Sequence, residues 1–301
     1  HIRHGVIPNR FDDYGGDPHY NTVDASLWFI HAALEYVRIS GDDATWTSHL
    51  ADACTQIIDG YLGDTPFDIG TDDDGLVTAG NPNTQLTWMD AARDGTVFTP
   101  RYGKAVEINA LWYNALCGCA ERASTGEADR LTKLATRVKR SFNAVFWDES
   151  LGYLRDHVNA DYADGTCRPN QLLAVSLPHS PLAAAKQKKV VTAVRDRLLT
   201  PMGLRTLPVD DGRYHGRYQG TVWAWPIGPF IEAWLRAHKF TKKSRTEAAA
   251  MLDPLIDQLD RGLGQLHEIF DGEPPHTPRG CPAQAWSVSE TLRAKLLIDS
   301  D

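Results

Sequence analysis

Carboxylates on loops and at helix starts are the residues in this chain best suited to chemistry. Asp90 closes the run Thr87-Trp88-Met89-Asp90, and Glu268 sits in His-Glu-Ile-Phe-Asp-Gly, with Asp271 at its fifth position. Asp24 stands four residues before Trp28, on one face of a predicted helix. Glu107 opens another helix that also carries Lys104, Asn109, Trp112, Tyr113 and Asn114. A buried polar group without a partner costs about 1–3 kcal/mol by mutational data, so this much polarity among aromatics requires ligands or a wet pocket. Asp90 falls on a loop ahead of a helix, where binding and catalytic groups concentrate.

Paired carboxylates suit glycosidic cleavage. One is protonated and donates to the leaving oxygen; the other activates water or attacks carbon. The loops supply companions for a sugar: Trp28, Trp88, Trp112, Tyr113, Tyr214, Trp223, Trp225 and Trp286 as stacking faces, and Arg168, Asn170, Gln171, Arg205, His215 and Gln284 for hydroxyls. Each also has a plainer use. A tryptophan fills core, Asp24 is the best candidate for a helix cap, and Glu290 with Arg293 reads as a surface pair. The sequence run TDDDG at 71–75 lacks the spaced oxygen ligands of a calcium loop and reads as a turn.

Elements that could position these groups follow from apolar spacing. Helices are predicted at about 23–40, 44–60, 103–124, 127–146, 169–176, 182–200, 221–238, 243–262 and 283–297. Long polar-aromatic loops precede alternate helices, those starting near 22, 103, 168, 220 and 283. The others follow short turns and carry ordinary charged surfaces. That alternation predicts an all-α toroid whose inner helices present their starting ends to one face.

The bulk numbers limit the function classes. The 301 residues suffice for one large domain or two small ones. A formal net charge of −8 argues against nucleic acid as partner and is compatible with a neutral sugar. Five cysteines in no regular framework read as reduced thiols and a cytoplasmic protein. Eleven histidines show no metal-binding spacing, so neither metal nor cofactor is expected. No apolar run reaches membrane-spanning length, so no membrane partner is expected. The chain opens His1-Ile2-Arg3, which reads as the start of a fragment.

Blocks in one order along the chain resemble the C-terminal amylo-α-1,6-glucosidase domain of glycogen debranching enzymes: GVIPNRF, YNTVDASLWF, LTWMDA, GKAVEINALWYNAL, RPNQLLAVSLP, GLRTL, YHGRYQGTVWAWPIGPF, HEIFDG and RGCPAQAWSVSE. The resemblance spans about 5–297 and implies a single domain with an (α/α)6 toroid fold. It also implies hydrolysis of α-1,6-linked glucose at trimmed branches of glycogen or a limit dextrin. By resemblance, Asp90 takes the place of the general acid and Glu268 that of the base, with inversion and a carboxyl separation of about 6.5–9.5 Å. Glu107 and Asp24 then become sugar-hydroxyl binders, or groups that hold Lys104 and the arginines. Another toroid α-glucosidase, of glucoamylase or trehalase type, and a non-catalytic glycan binder are the competing readings.

The family carries a further inner helix, with a Gly-Arg-Asp motif, ahead of GVIPNRF. Without it the toroid is expected to be incomplete at the N-terminus, and the missing N-terminal segment or domain becomes an expected partner. Apolar side chains would then lie exposed on the first and last helices, at Leu27, Ile30, Val288, Leu292 and Leu296.

Overall fold

The structure, a computed structural model, describes residues 1–63, 65–217, 221–261 and 263–300. Tyr218, Gln219 and Gly220 of the YHGRYQG block, and Gly262 at the end of a predicted helix, lie outside the described residues. The chain forms two compact units, one of His1–Trp147, His157–Asp164 and Pro178–Pro181, the other of Asp148–Asp156, Gly165–Leu177 and Leu182–Asp301. Both are mainly helical with short strands, as the all-α expectation requires. No helix among the described residues is long and apolar enough to cross a membrane.

The first unit holds α1 (Ala25–Ser40), α2 (Asp43–Thr45), α3 (Ala51–Leu62), α4 (Val106–Ala120) and α5 (Thr125–Phe146). A π turn at Trp46–Leu50 joins α2 to α3. Helix α4 is buried without a break from Val106 to Leu116, and it packs against α1 and α5. A helix apolar all round is stable only when enclosed. Its neighbour α5 is amphipathic instead, burying Leu131, Ala135, Val138, Phe142 and Phe146 at helical spacing.

The second unit holds α6 (Leu173–Ser176), α7 (Ala184–Leu198), α8 (Ile227–Ala237), α9 (Lys242–Ile256) and α10 (Ala285–Asp299). Here α8 is the enclosed helix, with α6, α7, α9 and α10 around it. Arg293 of α10 pairs with Glu290, as its spacing predicts, and also with Glu232 of α8. The Arg245 guanidinium donates to the carbonyls of Leu297 and Ile298, closing the end of α10 at 2.6 and 2.9 Å.

Two sequence expectations need correction. The helix predicted from 221 begins at Ile227, because Val222–Trp223 is a strand. It pairs antiparallel with Leu204–Arg205 on one side and Ile269–Phe270 on the other. Leu199–Thr200 and Pro278–Arg279 complete a five-stranded sheet, so the predicted loops at 203–220 and 264–282 contain strands as well. β-Branched and aromatic residues favour such pairing, but two-residue strands leave too short a period to read locally.

The second correction concerns exposure. Leu27 and Ile30 are fully buried within the first unit, where α1 packs on α3 and α4. On α10 the expectation holds for Leu292 and Leu296, at 57% and 59% exposure, while Val288 is partly buried. The inward stripe of α10 is Ser287, Thr291, Ala294 and Ile298.

The N-terminal segment is held on the first unit by one very close approach. A Cβ on Gly60 of α3 would lie 2.5 Å from the Gly5 Cα and 2.9 Å from the His4 carbonyl oxygen. The Ile7 N–H then donates to the Ser26 Oγ of α1 at 3.0 Å. Alanine is the better helix former by about 1 kcal/mol, yet Gly60→Ala should destabilise the unit by about 1–3 kcal/mol through overpacking. Thermal melting checks this; a variant that melts at or above the wild type would mean the His4–Gly5 backbone is not seated on α3.

Candidate functional site

In the first unit the site is built on the loop 79–103 and the starts of α1 and α4. Asp90 is 5% exposed. Its Oδ1 accepts the Thr87 N–H at 2.6 Å and the Thr87 hydroxyl at 2.7 Å, and its Oδ2 accepts the Leu86 N–H at 3.1 Å. The carboxyl therefore folds the TWMD turn back on itself. It borders a small cavity with Val23, Leu86, Thr87, Arg101 and Tyr102. Burial raises the Asp90 carboxyl above the usual carboxylate range, against the pull of the Thr87 and Leu86 hydrogen bonds and the Arg101 charge.

Behind the turn lies a buried ion pair. Arg101 Nη2 donates to Glu107 Oε2 at 2.6 Å, and Nη1 bonds Glu107 Oε1, so the contact is bidentate. The two residues are each 2% exposed. Arg101 Nη1 also donates to Thr87 Oγ1 at 3.1 Å, which links the pair to the Asp90 turn. Glu107 thus holds an arginine, as expected, but not Lys104. The Lys104 ammonium bonds Asp72 at 2.9 Å and Asp74 at 2.7 Å. Burial alone would lower it; the two carboxylates outweigh that and hold it above its ordinary value. The TDDDG run is a turn, closed by the Gly75 N–H to the Asp72 carbonyl at 2.8 Å.

Asp24 occupies the cap position of α1 but its side chain makes no capping bond. Thr22 does that work: its Oγ1 accepts the Ala25 N–H at 3.2 Å and donates to Asp24 Oδ1 at 2.6 Å. The backbone beside it is tied to the acid's turn, since the Val23 N–H donates to the Leu86 carbonyl at 2.8 Å. Burial raises the Asp24 carboxyl, and the charge of Asp90 adds to the rise. Trp28, partly buried one turn on, meets His31 edge to face at 5.7 Å. Trp88 is partly buried within the turn.

Other candidates on α4 serve the fold directly. The Asn109 amide accepts from the Val77 N–H at 2.8 Å and donates to the Val77 and Ala105 carbonyls, each at 3.0 Å. Trp112 Nε1 donates to the Gly75 carbonyl at 3.1 Å while its ring stacks on Tyr61 at 5.9 Å. Tyr113 lies under the Lys139 ammonium, 5.9 Å from its ring centroid, and burial pushes its hydroxyl up.

In the second unit Glu268 is partly buried and directly precedes Ile269–Phe270, an inner strand of the five-stranded sheet. Its Oε2 accepts the Cys281 N–H at 3.0 Å, and its own N–H donates to the Cys281 carbonyl at 2.9 Å. Gly280 makes room for it. At φ 64°, a Cβ there would lie 2.5 Å from Glu268 Oε2. Strand register sets Trp223 opposite Ile269, the residue after Glu268. Trp223 meets Trp286 edge to face at 5.5 Å, and Trp225 stacks on Trp286 at 5.5 Å and 23°. The three rings, all partly buried, form one aromatic surface.

Arg168 and Asn170 converge on a carboxylate that sequence reading passed over. Asn170 Nδ2 donates to Asp156 Oδ1 at 2.7 Å, and Arg168 Nε lies 3.5 Å from Asp156 Oδ2. Gln171 accepts from the Leu154 N–H at 3.2 Å and donates to the Arg168 carbonyl at 3.0 Å. Arg205 donates to the Gly272 carbonyl at 3.0 Å and to Tyr214, whose hydroxyl bonds Glu273 at 3.0 Å. His215 is exposed. Gln284 caps α10 through the Ala285 N–H at 3.1 Å. Asp271 is held by Arg279 at 3.0 and 3.2 Å. Thr87, Arg101 and Asp156 carry no local signal, because what distinguishes them is burial and a distant partner.

The raised Asp24 carboxyl makes a stability prediction with a definite sign. The folded state keeps this proton to higher pH than the unfolded chain, so unfolded chains ionise first as pH rises past the ordinary value. Stability should therefore fall through that window, up to the folded value, and stay lower above it. In Asp24→Asn that contribution is absent, so its stability should fall less between pH 4 and 7. Urea midpoints at the two pH values test this; equal losses in variant and wild type would refute it.

The amylo-alpha-1,6-glucosidase family model matches residues 1–293. A glycogen debranching enzyme of Saccharomyces cerevisiae (strain ATCC 204508 / S288c) is 24% identical over an alignment 408 residues long, gaps included, covering 95% of this chain and 26% of that protein. The chain thus spans about a quarter of that relative's length. With nearly its whole length matched by one family model, this chain belongs to the amylo-alpha-1,6-glucosidase family.

Proposed function

We propose that this chain hydrolyses α-1,6-linked glucose at branch points of glycogen or a related α-glucan, with Asp90 as general acid and Glu268 as general base. The observation that carries the reading is the Asp90 carboxyl: buried, raised above its usual range and bordering a cavity, in a chain matched to a glucosidase family along its length. An acid catalyst must still hold its proton near neutral pH, and desolvation is the ordinary means.

The protonated Asp90 gives its proton to the glycosidic oxygen as the bond to the anomeric carbon breaks. Glu268 takes a proton from the water that attacks that carbon from the opposite face, so the configuration inverts. Free glucose and the unbranched chain leave. Asp90 is then ionised and Glu268 protonated, and exchange with solvent restores both. Trp28, Trp88 and the Trp223–Trp225–Trp286 surface offer faces for the C–H side of sugar rings. Asp24, whose carboxylate is not spent on capping, is a fitting acceptor for a glucose hydroxyl. Lys104 and Asn109 in the first unit, and Arg168, Asn170, Gln171, Arg205 and Gln284 in the second, each hold partners within their own unit. The net charge of −8 suits a neutral polymer.

Glucose release from a branched limit dextrin tests the proposal. Asp90→Asn and Glu268→Gln should each lower it by at least about 100-fold, since general acid and base catalysis each contribute about 100- to 10,000-fold. Wild-type activity in either variant would remove that residue from its role. Release from linear α-1,4 chains in preference to branched ones would favour a glucoamylase-type glucosidase. Retention of dextrin without glucose release by the wild type would favour a glycan binder.

Gly280→Ala tests the seat of the base. The added methyl collides with Glu268 Oε2, and a displacement of about 1 Å can cost about 100-fold in rate. Glucose release should fall accordingly, with dextrin binding retained. Unchanged release would show that Glu268 does not act from this position.

A further inference from the structure

The Thr87 hydroxyl has every hydrogen-bonding site assigned, and the assignment reaches Asp90. Its oxygen accepts from Arg101 Nη1 at 3.1 Å and from the Met89 N–H at 3.4 Å. Guanidinium and amide nitrogens in these contacts only donate, and a hydroxyl has two acceptor sites and one hydrogen. With both acceptor sites filled, the hydrogen is left for Asp90 Oδ1, 2.7 Å away. Arg101 cannot turn aside without breaking its bidentate contact with Glu107.

The two oxygens of Asp90 then differ. Oδ1 receives two donors, the N–H and O–H of Thr87. Among the described residues Oδ2 receives the Leu86 N–H alone, and that contact is longer, at 3.1 Å. A proton on Oδ1 would face two hydrogens already aimed at it. A proton on Oδ2 leaves all three contacts in place, since Oδ2 keeps a second lone pair.

We propose that Thr87 and Arg101 are positioning residues that fix the proton of Asp90 on Oδ2, making Oδ2 the atom that delivers it. This rests on the reading of Asp90 as the acid. The charged and titratable groups facing Asp90 are Asp24 at the start of α1, Arg101 and Tyr102 across the cavity, and Glu107 behind Arg101.

The hydroxyl bond favours the ionised carboxyl, so its loss should raise the pH at which Asp90 gives up its proton. One neutral hydrogen bond corresponds to about half to one pH unit. The experiment is a 13C carboxyl NMR titration of the whole chain, with the Asp90 resonance assigned by its loss in Asp90→Asn. Thr87→Val should move the Asp90 titration up by that amount, and Thr87→Ser, which keeps the hydroxyl, should restore it. The basic limb of the kcat–pH profile for glucose release should move with it, because the acid stays protonated to higher pH, while KM changes little. Should Thr87→Val fail to fold, Arg101→Lys takes its place. It keeps a charge but frees the Thr87 hydroxyl to rotate, so the same upward movement is expected. A titration unchanged from wild type in Thr87→Val, or in Arg101→Lys where that variant is used, overturns the proposal. If Asp90→Asn keeps wild-type activity, it is the acid reading that fails, and the NMR titration still decides whether Thr87 and Arg101 hold the carboxyl.

Discussion

The first unit depends on a charge that has been taken out of water. Arg101 and Glu107 are both buried, and removing an arginine and a carboxylate from solvent costs several kcal/mol each. Only good geometry offsets that cost, and here two parallel N–H···O bonds supply it. Glu107 also lies in the first turn of α4, where the helix dipole favours a negative charge. Once fixed, Arg101 has a donor left for Thr87, and Thr87 a hydrogen left for Asp90. Rigidity passes from the ion pair to the candidate acid through two hydrogen bonds, of 3.1 and 2.7 Å.

The same economy explains how α4 can be enclosed and polar at once. Asn109 completes hydrogen bonds for the backbone at Val77 and Ala105, and Trp112 does so for Gly75. These side chains satisfy the loop that crosses them, so the loop needs little regular structure of its own. That loop runs on through the Lys104 anchor at Asp72 and Asp74 to the Asp90 turn. The polar residues of α4 thereby fix the backbone from which the candidate site is built.

The second unit meets its requirement differently. Glu268 stands at the start of an inner strand, partly open, with one carboxylate oxygen held by the Cys281 amide. Cross-strand register brings the three tryptophans and the Glu268 strand together, so their spacing depends on paired backbones. Asp90 is buried and Glu268 only partly so, and those differing environments suit the acid and base roles proposed for them.

Much of this was legible in the sequence, for a physical reason. Helical periodicity is a local property, so the order of the helices and the loops ahead of alternate ones could be read from residue spacing. The TWMD run stood out because it sets a carboxylate beside a tryptophan ahead of a helix, whereas HEIFDG stood out as one of the blocks in which the family of the chain was legible. Burial and partnership are not local. Nothing in the TPRYGK run marks Arg101 as more deeply buried than Arg93, and nothing near Asp156 announces Asn170 and Arg168. Asp24 looked like a helix cap until the fold gave that task to Thr22. Val222–Trp223 read as helix because its strand partners lie far along the chain. Leu27 and Ile30 were expected at an open edge, and the packing of α1 on α3 and α4 enclosed them. The sequence by itself determined which residue types are present and which helices form. Only the tertiary structure decided which charges lose their water, and desolvation is what turns an ordinary aspartate into a candidate acid.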